Sequence, residues 1–165
     1  MEQSAILAVA KDDGICSCLA RADSLAKMRQ VLEILAENHI PIRFFHCKNE
    51  GVFSFIIQER WVNEVQDLLK NHKSFIQFEP VSSVTLVGTG MAESSGIVAK
   101  IMEILPENNI PLLDIYSTHL QISCIIPRGL ENKLETRFHR HFVEAASLQP
   151  ASQQPDENED SKNGK

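Results

Sequence analysis

The sequence predicts an α+β fold built from two βαββαβ units, each an antiparallel sheet with its helices on one face. Three observations predict it. EILAENHIPI at 33–42 returns as EILPENNIPL at 103–112 with seven of ten positions identical, which indicates an internal duplication. Around each copy, apolar residues at helical spacing alternate with short strand-like segments. Of the 165 residues, 43% are hydrophobic and 23% are charged, which is typical of a globular protein.

Each element of the first repeat has a local signal. Asp23 or Ser24 can cap the first helix, and Lys48-Asn49-Glu50-Gly51 supplies turn conformations between two strands. The predicted elements are a strand at 15–20, a helix at 25–38, strands at 40–47 and 52–57, a helix at 59–71 and a strand at 74–78. This order is the ferredoxin-like βαββαβ motif.

The second repeat shows the same signals in the same order. Val81–Val87 has the Val and Thr content of a strand, and Gly88-Thr89-Gly90 breaks that strand. Ser94 or Ser95 can cap the helix that follows. The remaining predicted elements are strands at 110–116 and 120–126 and a helix over 130–142. We therefore expect the second repeat to be another ferredoxin-like unit.

The second half of the chain resembles an ACT domain of the aspartokinase regulatory region. The matching features are Val-Gly-x-Gly-Met at 87–91, where a strand ends, and Ser-Gly-Ile-x-Ala-Lys-Ile at 95–101, where a helix starts. The first half resembles the ACT domain that precedes it in that region. On this basis the first unit spans 3–80 and the second spans 81–143.

A further strand predicted at 5–11 has no counterpart in the duplication. The resemblance implies that this strand joins the sheet of the second unit, because aspartokinases insert their first ACT unit into the second. The alternative is an edge strand added to the first repeat.

The resemblance also implies a ligand site, since ACT domains commonly bind small amino acids where two units meet. Helix N-terminal N–H groups hold the carboxylate, and glycines allow the backbone to approach closely. The candidate ligand-binding residues of the second unit are Gly88, Thr89, Gly90, Met91, Ser94, Ser95, Gly96 and Asp114. In the first unit Arg43 stands where lysine- or threonine-sensing units offer an acid, and it would repel an ammonium. The first unit is therefore expected to bind another ligand or only to pair.

Taken together, these features predict a non-catalytic regulatory module that binds an amino acid and forms a homodimer. The alternative is a detached regulatory subunit of an aspartokinase whose catalytic chain is encoded separately. The sequence holds no Lys-Phe-Gly-Gly start, P-loop, nucleophile elbow or His-Glu-x-x-His pattern, so we expect no enzymatic activity, cofactor or metal. An RNA-binding module would need an aromatic Lys/Arg-Gly-Phe motif, which Phe53 and Phe55 alone do not supply.

Charge and hydropathy argue against several classes of protein. The 16 Lys+Arg and 22 Asp+Glu give a net charge of −6, which argues against nucleic-acid binding. No apolar run approaches the roughly 20 residues that cross a bilayer, and no signal peptide is evident, so we expect a cytoplasmic location. The cysteines are then expected to be reduced and buried; they are Cys16, Cys18, Cys47 and Cys124. The acidic, polar segment at 147–165 is expected to be a disordered tail.

Overall fold

The described strands all lie in one antiparallel sheet. The computed structural model describes residues 5–49, 51–70, 75–91 and 96–144. The strands are β1 (Ala5–Arg21), β2 (Arg43–Asn49), β3 (Val52–Gln58), β4 (Phe75–Thr89), β5 (Asp114–Ser117) and β6 (Gln121–Pro127), and the helices are α1 (Leu25–Glu37), α2 (Val62–Leu69), α3 (Ile97–Glu107) and α4 (Glu131–Phe138). A 3-10 turn at Glu59–Trp61 precedes α2, and a π-helical segment at His139–Glu144 extends α4. The strand order is β2-β3-β1-β4-β6-β5, which confirms the predicted α+β class.

Two long strands, β1 and β4, run through both halves of the sheet. Residues 15–21 of β1 pair with β3 and with the first part of β4. Residues 5–12 of β1 pair with 83–89 of β4, whose other edge pairs with β6. A bulge between Asp12 and Ile15 separates the two parts of β1. Each half of the sheet therefore holds four strand segments and two helices. The first half has the order βαββαβ, whereas in the second half the fourth strand is the N-terminal part of β1, which comes first in the chain.

The sequence predicts two strands at each place where the structure has one long strand. In β1, the expected break at Asp12-Asp13-Gly14 is absorbed by the bulge, where the Gly14 N–H donates to Asp12 Oδ1 at 3.1 Å. In β4 the chain runs through Pro80, which lies opposite Cys16. Among the described residues this part of β4 pairs with β1 alone, and an edge position tolerates a missing N–H.

The ten-residue repeat forms the same helix ending in both halves. His39 and Asn109 take up left-handed backbone, with φ of 54° and 53°. In each repeat the following isoleucine donates its N–H to the carbonyl of the leucine five residues earlier, at 2.9 Å. This is the Schellman ending of a helix. The isoleucines are thereby held to the helices, so β2 and β5 start later than predicted.

The helix-covered face of the sheet carries two separate cores. In the first repeat, α1 and α2 pack on a cluster that includes Phe53, Phe55 and Val65, each 0% exposed. In the second repeat, α3 and α4 pack on a cluster that includes Leu86 and Phe138. The N-terminal part of β1 adds two partly buried side chains to this second core, Ile6 and Val9.

On the opposite, helix-free face, side chains from both repeats form a third buried cluster. Their neighbours along each strand point into the helix-covered cores, because successive strand residues face opposite sides. We call this cluster, together with two rings packed against it, the repeat junction: Ile15, Phe44, Ile56, Val81, Tyr116 and Ile125.

The prediction of four buried thiols is wrong for Cys47. Cys16, Cys18 and Cys124 are buried, whereas Cys47 is exposed on β2, an edge strand with a neighbour among the described strands on one side only. Burial raises the pKa of the Cys124 thiol to about 12, so this side chain stays protonated. The tail predicted at 147–165 lies outside the described residues. No helix among the described residues is long and apolar enough to cross a membrane.

Candidate functional site

The loop after β4 is anchored in the fold at both of its described ends. Gly88 is buried, and its N–H donates to the carbonyl of Leu120 at 2.9 Å. Met91 is 2% exposed and packs in the second-repeat core. Between them, Gly90 has φ 65°, a conformation that glycine adopts without steric cost. Thr89 is exposed, so the loop offers a short stretch of backbone to solvent from a fixed base.

Helix α3 begins without a side-chain cap among the described residues. Its N-cap residue is Gly96, with φ 100°, and a Cβ built there would meet no described atom within 4 Å. The first N–H groups of a helix have no partner inside the helix, and the helix dipole attracts anions to that end. The start of α3 can therefore receive a carboxylate. Two other candidates, Ser94 and Ser95, lie outside the described residues.

In the first repeat, the equivalent helix start, that of α1, is capped by a side chain of the repeat itself. Its loop is short: three positions separate Ala22 from the start of α1 at Leu25, whereas nine separate Gly88 from the start of α3. Ser24 caps α1, accepting a hydrogen bond from the Lys27 N–H at 3.3 Å. The free N–H groups that a ligand would use are thus partly satisfied within the first repeat.

The structure does not bring Asp114 to this loop. Asp114 pairs with Ile125, which pairs with Ser83, five positions before Gly88 on β4; that spacing is about 16 Å along a strand. Asp114 also lies on the helix-free side, where Oδ2 accepts from the Tyr116 hydroxyl at 2.9 Å. Burial, and then the hydrogen bond and charge of Asp114, raise the pKa of Tyr116 well above its usual range.

Asp114 instead faces the first repeat. Its Oδ2 lies 4.0 Å from Nδ1 of His46 on β2, and its Oδ1 accepts from the Ile115 N–H at 2.9 Å. Arg43, which by the resemblance stands where lysine- or threonine-sensing units offer an acid, pairs with Asp12 in the β1 bulge at 2.8 Å. Both of these charged groups therefore have intramolecular partners.

Two exposed leucines lie beside the loop, and the sequence does not single them out: Leu7 is one residue of the apolar run at 5–10, and Leu120 follows a turn. Leu7, in a bulge of β1, is 65% exposed, and Leu120, at the tip of the β5–β6 hairpin, is 62% exposed. Leu120 supplies the carbonyl that holds Gly88. Further apolar exposure lies along α3 at Val98 and Met102. The surface around the loop is therefore suited to contact with another apolar surface.

The described residues contain no group of three or more His, Cys, Asp or Glu side chains placed to hold a metal ion.

Comparisons with known proteins match a domain family over part of the chain and aspartokinases over most of it. The ACT domain family model matches residues 84–142. Aspartokinase of Bacillus sp. (strain MGA3) is 24% identical over 155 residues, which is 86% of this chain and 38% of that protein. Aspartokinase 2 of Bacillus subtilis (strain 168) is 20% identical over 154 residues, again 86% of this chain and 38% of the relative. The chain therefore spans about two fifths of the length of these relatives.

Solved structures show the same fold. The ligand-free regulatory subunit of aspartate kinase from Thermus thermophilus superposes with a TM-score of 0.75 at 20% identity, covering 84% of this chain and 98% of that one. The regulatory subunit from Thermus flavus gives a TM-score of 0.72 at 19% identity, covering 82% and 97%. These likenesses extend over both repeats.

Proposed function

We propose that this chain, which matches the ACT domain family at residues 84–142 and resembles aspartate kinase regulatory subunits in fold, is a non-catalytic regulatory module that binds an amino acid. The ligand is held at the loop after β4 and the start of α3. The observation that carries the proposal is the start of α3 at Gly96, which has no side-chain cap among the described residues and where a Cβ would meet no described atom within 4 Å. The capped start of α1 supports the second repeat rather than the first as the binding repeat.

The chemistry of this place suits the carboxylate of an amino acid. N–H groups at a helix start provide several converging donors and a favourable dipole. The buried Gly88 and the left-handed Gly90 precede α3 in the chain, and glycines allow the backbone to approach a ligand closely. Asp114 is too far along the sheet to hold the ammonium group of the same ligand. The ammonium partner is therefore expected from a second copy.

A second copy is proposed because the rim of the site is apolar. Leu7 follows Ile6, which pairs with Gly88, and Leu120 accepts the Gly88 N–H bond. Val98 and Met102 are an exposed i, i+4 pair on α3. Burying such side chains in an interface favours association by about 1.5–3 kcal/mol for each side chain that is fully covered. Closure by a homodimer would cover these residues and shield the ligand from water.

A thermal-shift panel with the twenty amino acids tests the binding proposal. At a free concentration of 100 times Kd, a ligand raises the free energy of unfolding by about 2.7 kcal/mol. This corresponds to a rise in Tm of roughly 5–10 °C for a domain of this size. We expect one small amino acid to raise Tm in this way. A folded protein whose Tm is unmoved by all twenty contradicts amino-acid binding.

Substitutions at Gly96 test whether the ligand binds at the start of α3. Gly96→Asp supplies a carboxylate as N-cap, which satisfies the helix start and repels a bound carboxylate, so the shift should be lost. Gly96→Ala is the matched control, since it imposes the same backbone strain at φ 100° without the charge. Equal ligand shifts in the two variants would place the ligand elsewhere.

The runner-up function is a detached subunit that regulates a separate aspartokinase catalytic chain. It is favoured by the two Thermus structures, which are regulatory subunits covered over 97% and 98% of their length. Co-sedimentation of the chain with an aspartokinase catalytic chain should give one complex under this hypothesis. Separate sedimentation in the presence of the bound amino acid favours the stand-alone module.

A further inference from the structure

The two repeats face each other across an approximate twofold axis. In the first repeat Ser17 pairs with Ile56, and in the second Ser83 pairs with Ile125, so the long strands correspond at an offset of 66 and β3 and β6 at an offset of 69. At the first offset Ile15 corresponds to Val81, and these two residues pair directly with each other. The axis therefore passes through this pair, at the centre of the helix-free face.

Two contacts between β2 and β5 at the repeat junction are related by this approximate twofold axis. The rings of Phe44 and Tyr116 stack with centroids 4.5 Å apart and planes 17° apart. His46 Nδ1 lies 4.0 Å from Asp114 Oδ2. By strand register His46 corresponds to Tyr116 and Arg43 to Asp114, and Phe44 follows Arg43 in the irregular part of β2. The two contacts are therefore approximately reciprocal, as in a twofold interface between subunits. The edge strands β2 and β5 thus meet through their side chains over the helix-free face.

One pair of equivalent residues carries opposite charges. Glu59 and Arg128 correspond at the offset of 69, and Glu59 Oε1 lies 2.9 Å from Arg128 Nη1. Arg128 Nη2 also donates to the Ile15 carbonyl on the axis at 3.2 Å. Two identical copies would set like charges against each other at this position, which is unfavourable. The pair therefore favours contact between the two different repeats of one chain.

Each hairpin is fixed at its tip as well as at the junction. The Gly88 N–H donates to the Leu120 carbonyl at the tip of β5–β6, and the Ala22 N–H donates to the Gly51 carbonyl at the tip of β2–β3, at 2.7 Å. These two bonds are equivalent under the same offsets. A continuous set of contacts therefore joins the loop after β4 to the loop after β1 through both hairpins.

We propose that the repeat junction, with Glu59–Arg128 and His46–Asp114 beside it, couples the β5–β6 hairpin to the β2–β3 hairpin. A displacement of the loop after β4 therefore also displaces or loosens the β2–β3 hairpin of the first repeat. Coupling between sites can travel through chains of packed side chains, hydrogen bonds and ion pairs, and the two hairpins with the repeat junction form such a chain of contacts. The use of this coupling to transmit ligand binding rests on the proposed function, but the coupling itself is measurable without a ligand.

Hydrogen exchange followed by mass spectrometry of the ligand-free full chain tests the coupling. Tyr116→Ala removes a stacked ring from β5, and we expect β2 and β3 amides of the other repeat to exchange roughly two- to tenfold faster. Ser117→Ala, an exposed neighbour on β5, is the control and should leave β2 and β3 unchanged. Faster exchange confined to β5 and β6 in Tyr116→Ala would overturn the proposal.

Charge reversal provides a second readout that does not depend on the ring. Glu59→Arg sets two guanidinium groups against each other and should speed exchange in both hairpins. Glu59→Arg with Arg128→Glu restores opposite charges, and by symmetry the new arginine faces the Val81 carbonyl, so exchange should return toward wild type. A double variant that exchanges as fast as Glu59→Arg would contradict a role for this pair.

The two proposals fail in different ways. If no amino acid raises Tm, the binding proposal fails while the ligand-free exchange rates still report the coupling. If an amino acid raises Tm, it should also slow exchange in β2 and β3 of the wild type, and this effect should be lost in Tyr116→Ala. Protection confined to the second repeat of the wild type would overturn transmission.

Discussion

Glu131 shows how one buried carboxylate holds a helix to the sheet. It is the first residue of α4 and is 7% exposed. Its Oε2 accepts from the Gly129 N–H at 2.8 Å and from the Ser82 hydroxyl at 2.9 Å. Backbone hydrogen bonding, including its own N–H, and the Ser82 bond lower the pKa of this carboxyl below its usual 4.5. A negative charge also suits a helix start.

The lowered pKa makes stability depend on pH. Because the folded state holds the charged form better than the unfolded state, the contribution is complete above about pH 4.5 and is lost as pH falls through the folded pKa. Glu131→Gln should lower the free energy of unfolding by about 1.5–3 kcal/mol at pH 7 and by less in acid. Urea melts from pH 3 to 7 check this. The exposed Glu79→Gln is the control, and a pH-independent loss in Glu131→Gln would contradict the assignment.

Gly51 is required by a close backbone contact. Its φ is +79°, and a Cβ there would lie 2.0 Å from the Ala22 carbonyl oxygen. Gly51→Ala should therefore destabilise by roughly 2–4 kcal/mol, the sum of backbone strain and displacement of the hairpin tip. Gly129→Ala is matched for strain, with φ +91°, but its Cβ meets no described atom within 4 Å, so it should cost about 1–2 kcal/mol. Equal losses in thermal melts would refute the close contact.

At the level of elements, β1 contributes to both repeats. Its N-terminal part pairs with the end of β4 and supplies Val9 to the second-repeat core. Lys11 Nζ also lies 2.6 Å from Glu135 Oε2 on α4. The C-terminal part belongs to the first repeat through β3. The second repeat therefore depends on residues that come before the whole of the first.

Because β1 packs on the second-repeat core, a substitution near the N-terminus should affect elements more than 100 residues further along the chain. Val9→Asp places a charge against the second-repeat core and should destabilise by about 1–3 kcal/mol, with faster amide exchange in β6 and α4. Ala10→Asp, on the exposed side of the same strand, should change stability by less than about 0.5 kcal/mol. If exchange rises only in the first repeat, β1 does not close the second core.

On the scale of the whole molecule, the repeats form one sheet with no break between them among the described residues. The shared strands β1 and β4, the repeat junction and the Glu59–Arg128 pair all cross from one repeat to the other. Separate unfolding of either repeat would expose apolar surface of the other. The two repeats are therefore expected to unfold cooperatively.

Trp61 allows this expectation to be tested. It is the single tryptophan of the chain and packs against the first-repeat core. Its fluorescence reports the first repeat, whereas far-UV circular dichroism reports both. The two signals should give one coincident urea transition. A fluorescence midpoint clearly separated from the dichroism midpoint would show that the repeats unfold independently.

The sequence by itself determined the features that depend on neighbours along the chain. The repeat at 33–42 and 103–112 encodes a helix ending in each half, apolar spacing encodes the helices, and Gly88 and Gly90 mark the loop after β4. The βαββαβ order follows from these local signals because each is set within a few residues.

Only the tertiary structure decided which distant residues meet. It placed Asp114 beside His46 rather than at the loop and paired Glu59 with Arg128. It also joined Glu131, at the start of α4, to Ser82 of β4 and merged short predicted strands into β1 and β4. These outcomes depend on strand register and on a twofold relation between residues about 66 to 70 positions apart. Local sequence cannot specify them, because a shift of one residue in register would turn each side chain to the other face.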